Sequence, residues 1–362
     1  EHPVTEMVTG LDLVEEMIRI ASGEVLKSKQ KDIQVTGSAI ETRIYAEDPY
    51  RDFMPSIGRV SKYCVPDHLD FIRIDTGIEE GSDVSMFYDP MIAKLIAKGE
   101  DREQCIDRML LALDQYHISG VSHNINFLSS IMQNKKYREG CTTTNFIQEQ
   151  FPDGFKGLVA SENETLIAAS VLACIHQNSI ERYQTVIANE TNQSSWSVSF
   201  NKKKIDLIIK KSSNTTEILI DSSVLIIDLV STPNNPIVKA RVDDDIYYFQ
   251  LEKLHPGYRL TYRGRILEAL VTRKRTAELN QLMPEKKTPD LSKFLLSPMP
   301  GLLIKICVQE GQHIKAGEEL AIVEAMKMEN SLRAIDSVTI KSIFTKEGDN
   351  LMVDQTILEF ED

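Results

Sequence analysis

The strongest constraint in this chain of 362 residues is an internal repeat near its C-terminal end. At an offset of 37 residues, Leu303 aligns with Ile340, Ile306 with Ile343 and Glu310-Gly311 with Glu347-Gly348; Ile314 then aligns with Leu351, Leu320 with Ile357 and Ile322 with Glu359. A pattern that returns at fixed spacing describes one supersecondary unit used twice. Each copy is too small to close a core alone, so the two are expected to pack about an approximate two-fold axis into one small all-β sandwich. Between them, at the hinge of the symmetry, lies Glu324-Ala325-Met326-Lys327-Met328-Glu329-Asn330.

Leu320 to Glu324 reads as a strand that must reverse toward Leu332 and Ala334, which puts Lys327 in a tight turn. Most lysines are exposed and solvated, and a turn lysine by itself says no more than that. Met326 and Met328 change the weighting, because apolar side chains on both sides of an exposed turn are unusual surface choices. A long flexible stem ending in an accessible amine suits enzymatic acylation and the carriage of a reactive group between sites.

The chain is long enough for two or three domains. With 42% hydrophobic and 26% charged residues it is of ordinary globular composition. Forty-one Lys and Arg against 54 Asp and Glu leave a net charge of -13, the wrong sign for holding a phosphate backbone. Nucleic acid is therefore not an expected partner. The longest apolar stretch, near Leu166 to Ile175, is about half of the ~20 residues that cross a bilayer, so no membrane association is expected. Cys64, Cys105, Cys141, Cys174 and Cys307 are odd in number and form no CxxC pair, which argues against a disulfide framework and against a metal site. A reducing compartment fits. The first residues, Glu1-His2-Pro3-Val4, carry neither a signal pattern nor an initiating Met and read as a cut end.

Val14, Met17, Ile18 and Ala21 follow helical spacing with one buried stripe, stopped at Gly23. Ser38 to Ala46 alternates as a strand, with Ile40, Thr42 and Ile44 on one side and Ala39, Glu41, Arg43 and Tyr45 on the other. Further strands surround Val60 and Phe71 to Ile74. Asp101 and Gln104, spaced as a capping box, open a helix that buries Ile106, Met109, Leu110 and Leu113. These elements predict an α+β unit over 1–157. A helix from Glu162 to His176 precedes short β-branched runs at Val224 to Val230, Ile237 to Val242, Ile246 to Leu251, Tyr258 to Tyr262 and Ile266 to Val271, predicting a helix plus an antiparallel β-barrel over 158–279. The polar stretch 280–294 reads as a linker and 295–362 as the repeat domain.

Ala325-Met326-Lys327-Met328, with Ser297-Pro298-Met299-Pro300-Gly301 before it, resembles the biotinyl carrier domains of acyl-CoA carboxylases; the related lipoyl carriers usually have Asp-Lys-Ala at this turn. Glu1-His2-Pro3-Val4-Thr5-Glu6, Glu41-Thr42-Arg43 running into Ala46-Glu47-Asp48-Pro49, and Tyr88-Asp89-Pro90-Met91-Ile92-Ala93-Lys94 resemble the C-terminal part of a biotin carboxylase. Gly120-Val121-Ser122-His123-Asn124, Phe151-Pro152-Asp153-Gly154-Phe155-Lys156-Gly157 and His255-Pro256-Gly257-Tyr258 with Tyr262-Arg263-Gly264-Arg265 are similar to the alpha subunits of propionyl-CoA carboxylases. The resemblance implies biotin on Lys327, attached by a biotin protein ligase, with Ala325, Met326 and Met328 completing the biotinyl motif. It implies Glu1 as the base for bicarbonate, Arg43 as the group that stabilises the enolate-like form of biotin, and a barrel that docks on a carboxyltransferase beta subunit. Acyl-CoA is then met through that beta subunit, in the mitochondrial matrix or the bacterial cytoplasm. ATP, bicarbonate and Mg2+ or Mn2+ belong to a full-length enzyme whose ATP-grasp half would precede Glu1, so this portion alone is expected to be inactive in biotin carboxylation. Without the resemblance Glu1 is a solvated acid and Arg43 a surface ion-pair residue. His123 is read as structural, since no nucleophile or metal-ligating partner lies near it in sequence. The rival readings are a 3-methylcrotonyl-CoA or acetyl-CoA carboxylase alpha subunit, a non-catalytic carrier and assembly module, and a lipoyl carrier.

Overall fold

The structure, a computed structural model, describes residues 2–66, 69–85, 87–183, 193–200, 203–212, 215–220, 223–230, 235–280, 282–283, 293–325 and 328–361. Among them, three hydrophobic clusters mark three units. None of the described helices is long and apolar enough to cross a membrane.

In the first unit, helices α1 (His2–Thr9) and α2 (Leu13–Ala21) precede strands β1 (Ser38–Tyr45), β2 (Ile72–Thr76) and β3 (Met91–Gly99), followed by helices α3 (Arg102–Asp114) and α4 (Ile125–Gln133). The sheet order is β1-β3-β2, antiparallel throughout. The expected alternation of β1 holds: Ile40, Thr42 and Ile44 are buried against Met109, Leu110 and Leu113 of α3, and Arg43 is exposed on the opposite face. Asp101 caps α3 by accepting from Gln104 N–H at 2.8 Å, but the Gln104 side chain accepts from Glu100 N–H rather than completing the box at Asp101. One expectation fails. The apolar stripe of α2 is not buried; Val14, Met17 and Ile18 are all exposed, because no described element packs over that face.

The second unit wraps a closed antiparallel barrel around a helix. Helix α5 (Glu162–Tyr183) extends beyond His176 and is followed by strands β4 (Gln193–Phe200), β5 (Lys203–Lys211), β6 (Thr216–Ile220), β7 (Ser223–Val230), β8 (Ile237–Val242), β9 (Asp245–Leu254), β10 (Gly257–Tyr262) and β11 (Arg265–Thr272). The five runs read from the sequence are β7 to β11. Three more precede them, and β4 closes the barrel on β11 through Val198 and Val271. From Ile167 to Cys174 every residue of the helix is buried, the one polar side chain, Ser170, donating back to the Leu166 carbonyl at 2.8 Å, and Ala168, Ala169, Val171, Leu172 and Ala173 are fully buried in the barrel core. A helix without a polar face needs cover on all sides, and a barrel supplies it.

A turn fastens the barrel to the first unit. Arg263 and Gly264 both have positive φ, and a Cβ on Gly264 would stand 2.6 Å from the carbonyl oxygen of Asn126 in α4, so only glycine permits this approach. Asp114, at the end of α3, accepts the Arg263 N–H at 2.8 Å, and Gln133 Nε2 donates to the Arg263 carbonyl at 2.9 Å. Gln250 of β9 donates to the Tyr116 carbonyl at 2.9 Å. Burial pushes the Asp114 carboxyl up to about 7, against the pull of the Arg263 N–H and of the Arg263 and Arg265 charges.

The third unit has the expected pseudo-symmetry. Strands β12 (Phe294–Leu296), β13 (Gly301–Ile306), β14 (His313–Ile314), β15 (Glu319–Ala325), β16 (Met328–Arg333), β17 (Val338–Ile343), β18 (Asn350–Leu351) and β19 (Thr356–Phe360) form two sheets, ordered β12-β19-β17-β14 and β16-β15-β13-β18. Shifting each strand by the repeat offset, β13 and β15 forward and β16 and β18 back, carries one sheet onto the other. The hydrogen bonds follow: Gly348 N–H donates to the Leu303 carbonyl at 2.8 Å and Gly311 N–H to that of Ile340 at 2.7 Å. The Glu347 carboxylate takes Ile306 N–H at 3.1 Å, and that of Glu310 takes Ile343 N–H at 3.0 Å. Each copy thus satisfies backbone donors of the other. Most of the expected linker lies outside the described residues.

Because the folded-state pKa of Asp114 is raised, its contribution to stability is present below about pH 4 and is lost as pH rises toward 7. Urea titrations at pH 4 and pH 7.5 are expected to show Asp114→Asn gaining stability relative to the parent as pH rises. An unchanged difference between the two chains would contradict the assignment.

Candidate active-site face and carrier hairpin

The polar face of the first sheet is set by register. Arg43 of β1 stands opposite Lys94 of β3, and Lys94 opposite Asp75 of β2; the next row is Glu41, Ile96 and Arg73. Ile96 is fully buried on this face although it lies outside the main core, because α1 packs over β1 and β3 there. The helix is anchored by Glu6, which accepts from Arg73 Nη1 at 2.5 Å and from Leu13 N–H at 2.8 Å. Burial opposes ionisation of Glu6, but the Arg73 and Leu13 hydrogen bonds outweigh it and hold the carboxyl below its ordinary range. Arg73 is itself held by both oxygens of Asp75 at 2.9 Å.

α1 covers one row and leaves the Arg43 row open. Arg43 Nε donates to Glu41 at 3.2 Å, and first Glu41, then Tyr45, make the guanidinium harder to deprotonate. The guanidinium is half exposed, whereas the Glu41 carboxylate that holds it is largely buried. Arg43 therefore offers fixed planar donors that stay charged at any working pH. Glu41 and Tyr45, which share its face, were legible in the period-two pattern. Lys94 and Asp75 were not, since only pairing of distant strands brings them there.

Asn124 closes the Gly120-Val121-Ser122-His123-Asn124 motif. It is buried, and its side chain bonds the β1 backbone on either side of Ile44. His123, beside it, lines a cavity of about 510 Å³ with His117, Arg259 and Gln250, between the first unit and the barrel. Burial, with His117 nearby, pushes its pKa down to about 4, so the ring is neutral at pH 7.

Of the residues expected to act, Glu1, Met326 and Lys327 lie outside the described residues, as does the Met328 side chain. Their flanks are described. Residue 2 opens α1 on the Arg43 face of the sheet. Ala325 and Met328 form the last pair of the β15–β16 hairpin, so the connection between the strands is two residues long and Lys327 supplies its only amine. Ala325 is buried, and a Cβ on Gly301 would lie 2.6 Å from the Glu324 carbonyl oxygen, so the hairpin is seated directly on β13. Met299, from the motif preceding β13, is buried in the same core. A hairpin held this firmly up to its closing pair fits a covalently carried group such as biotin.

Four family models match in order along the chain: the ATP binding domain of the carbamoyl-phosphate synthase L chain at 1–29, the biotin carboxylase C-terminal domain at 41–149, the propionyl-coenzyme A carboxylase BT domain at 167–286, and biotin-requiring enzymes at 293–360. The chain belongs to the biotin-dependent acyl-CoA carboxylase alpha-chain family. It is 39% identical over 386 residues to the propionyl-CoA carboxylase alpha chain of Ruegeria pomeroyi, covering 100% of this chain and 57% of that one. To the mitochondrial propionyl-CoA carboxylase alpha chain of Homo sapiens it is also 39% identical, over 100% of this chain and 51% of that one. A mitochondrial methylcrotonoyl-CoA carboxylase subunit alpha of Dictyostelium discoideum is 28% identical over 92% of this chain and 50% of its own length. Among solved structures, the biotin carboxylase domain of a thermophilic 2-oxoglutarate carboxylase bound to bicarbonate is 46% identical over 41% of this chain and 34% of that one, with a TM-score of 0.41. The chain spans about half the length of the curated relatives it matches.

Replacing Glu6 tests the anchoring of α1 over this face. The lowered pKa means its stabilisation is present above about pH 4.5 and is lost as pH falls through the folded-state value. Glu6→Gln is expected to cost ~1–3 kcal/mol at pH 7 by denaturant titration, from the loss of a charge-assisted hydrogen bond. The difference should shrink at pH 3.5.

Proposed function

We propose that this chain supplies the carboxylase C-terminal region (1–157), the subunit-docking barrel (158–279), a linker (280–294) and the biotinyl carrier (295–362) of a propionyl-CoA carboxylase alpha subunit. The observation that carries the reading is the pseudo-symmetric sandwich whose joining hairpin holds the Ala325-Met326-Lys327-Met328 motif, in one chain with the Arg43 face. Lys327 is the attachment point, its side-chain amine forming an amide with biotin through a biotin protein ligase. Biotin supplies a ureido nitrogen that takes up a carboxylate and later releases it. Arg43 donates to the ureido oxygen as negative charge develops there, the role for which a preorganised cation is best suited. Glu1 takes the proton of bicarbonate, which requires it within hydrogen-bond reach of that anion.

The ATP- and bicarbonate-dependent step belongs to a protein that also carries the ATP-binding part. The carrier then presents its carboxylate to a carboxyltransferase beta subunit, which converts propionyl-CoA to methylmalonyl-CoA. Covalent attachment keeps the group at high effective concentration at both sites. Val224, Ile226, Val230 and Ile246 on the outside of the barrel are exposed, an apolar surface suited to docking the beta subunit. The setting is the mitochondrial matrix or the bacterial cytoplasm. The higher identity to propionyl-CoA than to methylcrotonoyl-CoA carboxylase chains favours propionyl-CoA among the possible substrates.

Coexpression with a biotin ligase followed by intact-mass and avidin-blot measurement is expected to show one biotin, lost in Lys327→Ala. A lipoyl adduct, or biotin retained in Lys327→Ala, would reject the reading. The 362-residue chain alone is expected to show no bicarbonate-dependent ATP hydrolysis, and the protein with the complete ATP-binding part to show it.

A further inference from the structure

Asn124 occupies the position at which a side chain normally caps a helix. It directly precedes α4, and Asn at that position ordinarily accepts a backbone N–H of the first turn, worth ~1 kcal/mol. Here its side chain makes no cap bond. Instead, Oδ1 accepts the Tyr45 N–H at 3.0 Å and Nδ2 donates to the Arg43 carbonyl at 3.1 Å. The Asn124 N–H adds a third bond, to the Tyr45 carbonyl, at 3.2 Å.

These bonds fall where β1 most needs them. β1 lies at the edge of its sheet, with β3 on one side only, and its register with β3 slips between Ile44 and Tyr45. The backbone groups of Arg43 and Tyr45 that point away from β3 would otherwise lack a strand partner. A side-chain amide carries the same donor and acceptor as a peptide group, so Asn124 stands in for a missing strand across two alternate residues. The loop that delivers it is itself fixed: Ser61 N–H donates to the Ser119 carbonyl at 2.9 Å, and Ser122 N–H to Ser56 Oγ at 2.9 Å. Gly120 has positive φ, and a Cβ there would lie 2.1 Å from the Arg59 carbonyl oxygen.

We propose that Asn124 is a positioning residue for biotin carboxylation, clamping the backbone on both sides of Ile44 so that the Arg43 guanidinium is presented in one fixed orientation. The inference rests on the proposed role of Arg43. Asn124 acts through the strand, not on substrate. A misplacement of about 1 Å at a reacting group lowers rate by ~10²-fold, which sets the scale of the effect.

The test is a double-mutant cycle in the full-length holoenzyme, using Asn124→Asp, which keeps the shape and the acceptor for Tyr45 but sets a carboxylate against the Arg43 carbonyl. Arg43→Gln supplies the second arm. Asn124→Asp is expected to lower kcat for carboxylation of free biotin by ~10–100-fold, with the KM for ATP and the ATP hydrolysis measured without biotin unchanged. In the Arg43→Gln background it should cause no further loss. In Asn124→Ala, which removes the acceptor, hydrogen exchange at the Tyr45 amide should quicken. If Asn124→Asp fails to fold, Asn124→Ala, which deletes both side-chain bonds without adding charge, is read in the same cycle. Losses that multiply across the cycle, or that extend equally to ATP hydrolysis without biotin, would overturn the inference while leaving the role of Arg43 standing. An Arg43→Gln enzyme with full biotin carboxylation would overturn both.

Discussion

Strand β1 must satisfy two opposed requirements. It has to leave one face open so that Arg43 reaches solvent, and it has to be held firmly enough that a guanidinium at the end of a long side chain points in one direction. The buried Ile40, Thr42 and Ile44 settle the second requirement on the core side, where the strand lies on α3. β3 settles it along one edge and the Asn124 amide along the other. The side chain itself reaches solvent and is held by the largely buried carboxylate of Glu41. A cation fixed on a rigid backbone suits the role proposed for Arg43, since a preorganised donor needs no reorganisation when charge appears.

The same economy of fixed frames governs the other units. The barrel cannot be filled by its own side chains alone, and α5 completes it with small residues, Ala168, Ala169, Ser170 and Ala173, where the wall comes close. The turn at Arg263 and Gly264 then locks the barrel onto α3 and α4 with a buried carboxylate at the joint. The first unit and barrel therefore share a hydrogen-bonded seam. In the carrier, the two copies of the repeat cap each other through Glu310 and Glu347, so a small sandwich acquires order without a disulfide. Its joining hairpin inherits that order up to the Ala325 and Met328 pair.

Much of this was legible in the residues. The period-two pattern placed Arg43 opposite the buried face of β1, and the stripe of Ile106, Met109, Leu110 and Leu113 located α3, because strand and helix periodicities are local consequences of backbone geometry. The α2 stripe misled for a related reason. Periodicity reports that a face is apolar, not that something covers it, and Val14, Met17 and Ile18 stand exposed. From Trp196 onward the sequence has β-branched, all-β character, but the bounds of the first three barrel strands were not drawn from it, although in β5 the inward Ile205, Leu207 and Ile209 are spaced two residues apart.

What the sequence determined by itself was the carrier: a repeat at fixed spacing leaves few ways to bury its apolar positions, and the motif with Lys327 sits where the two copies join. What only the tertiary structure decided was the company of Arg43. Lys94, Asp75 and Asn124 reach it from strands and a loop between 32 and 81 residues away along the chain, through register and a diverted capping side chain. Local patterns specify which face a residue takes; which distant groups share that face depends on how edges pair, and pairing is a property of the folded chain.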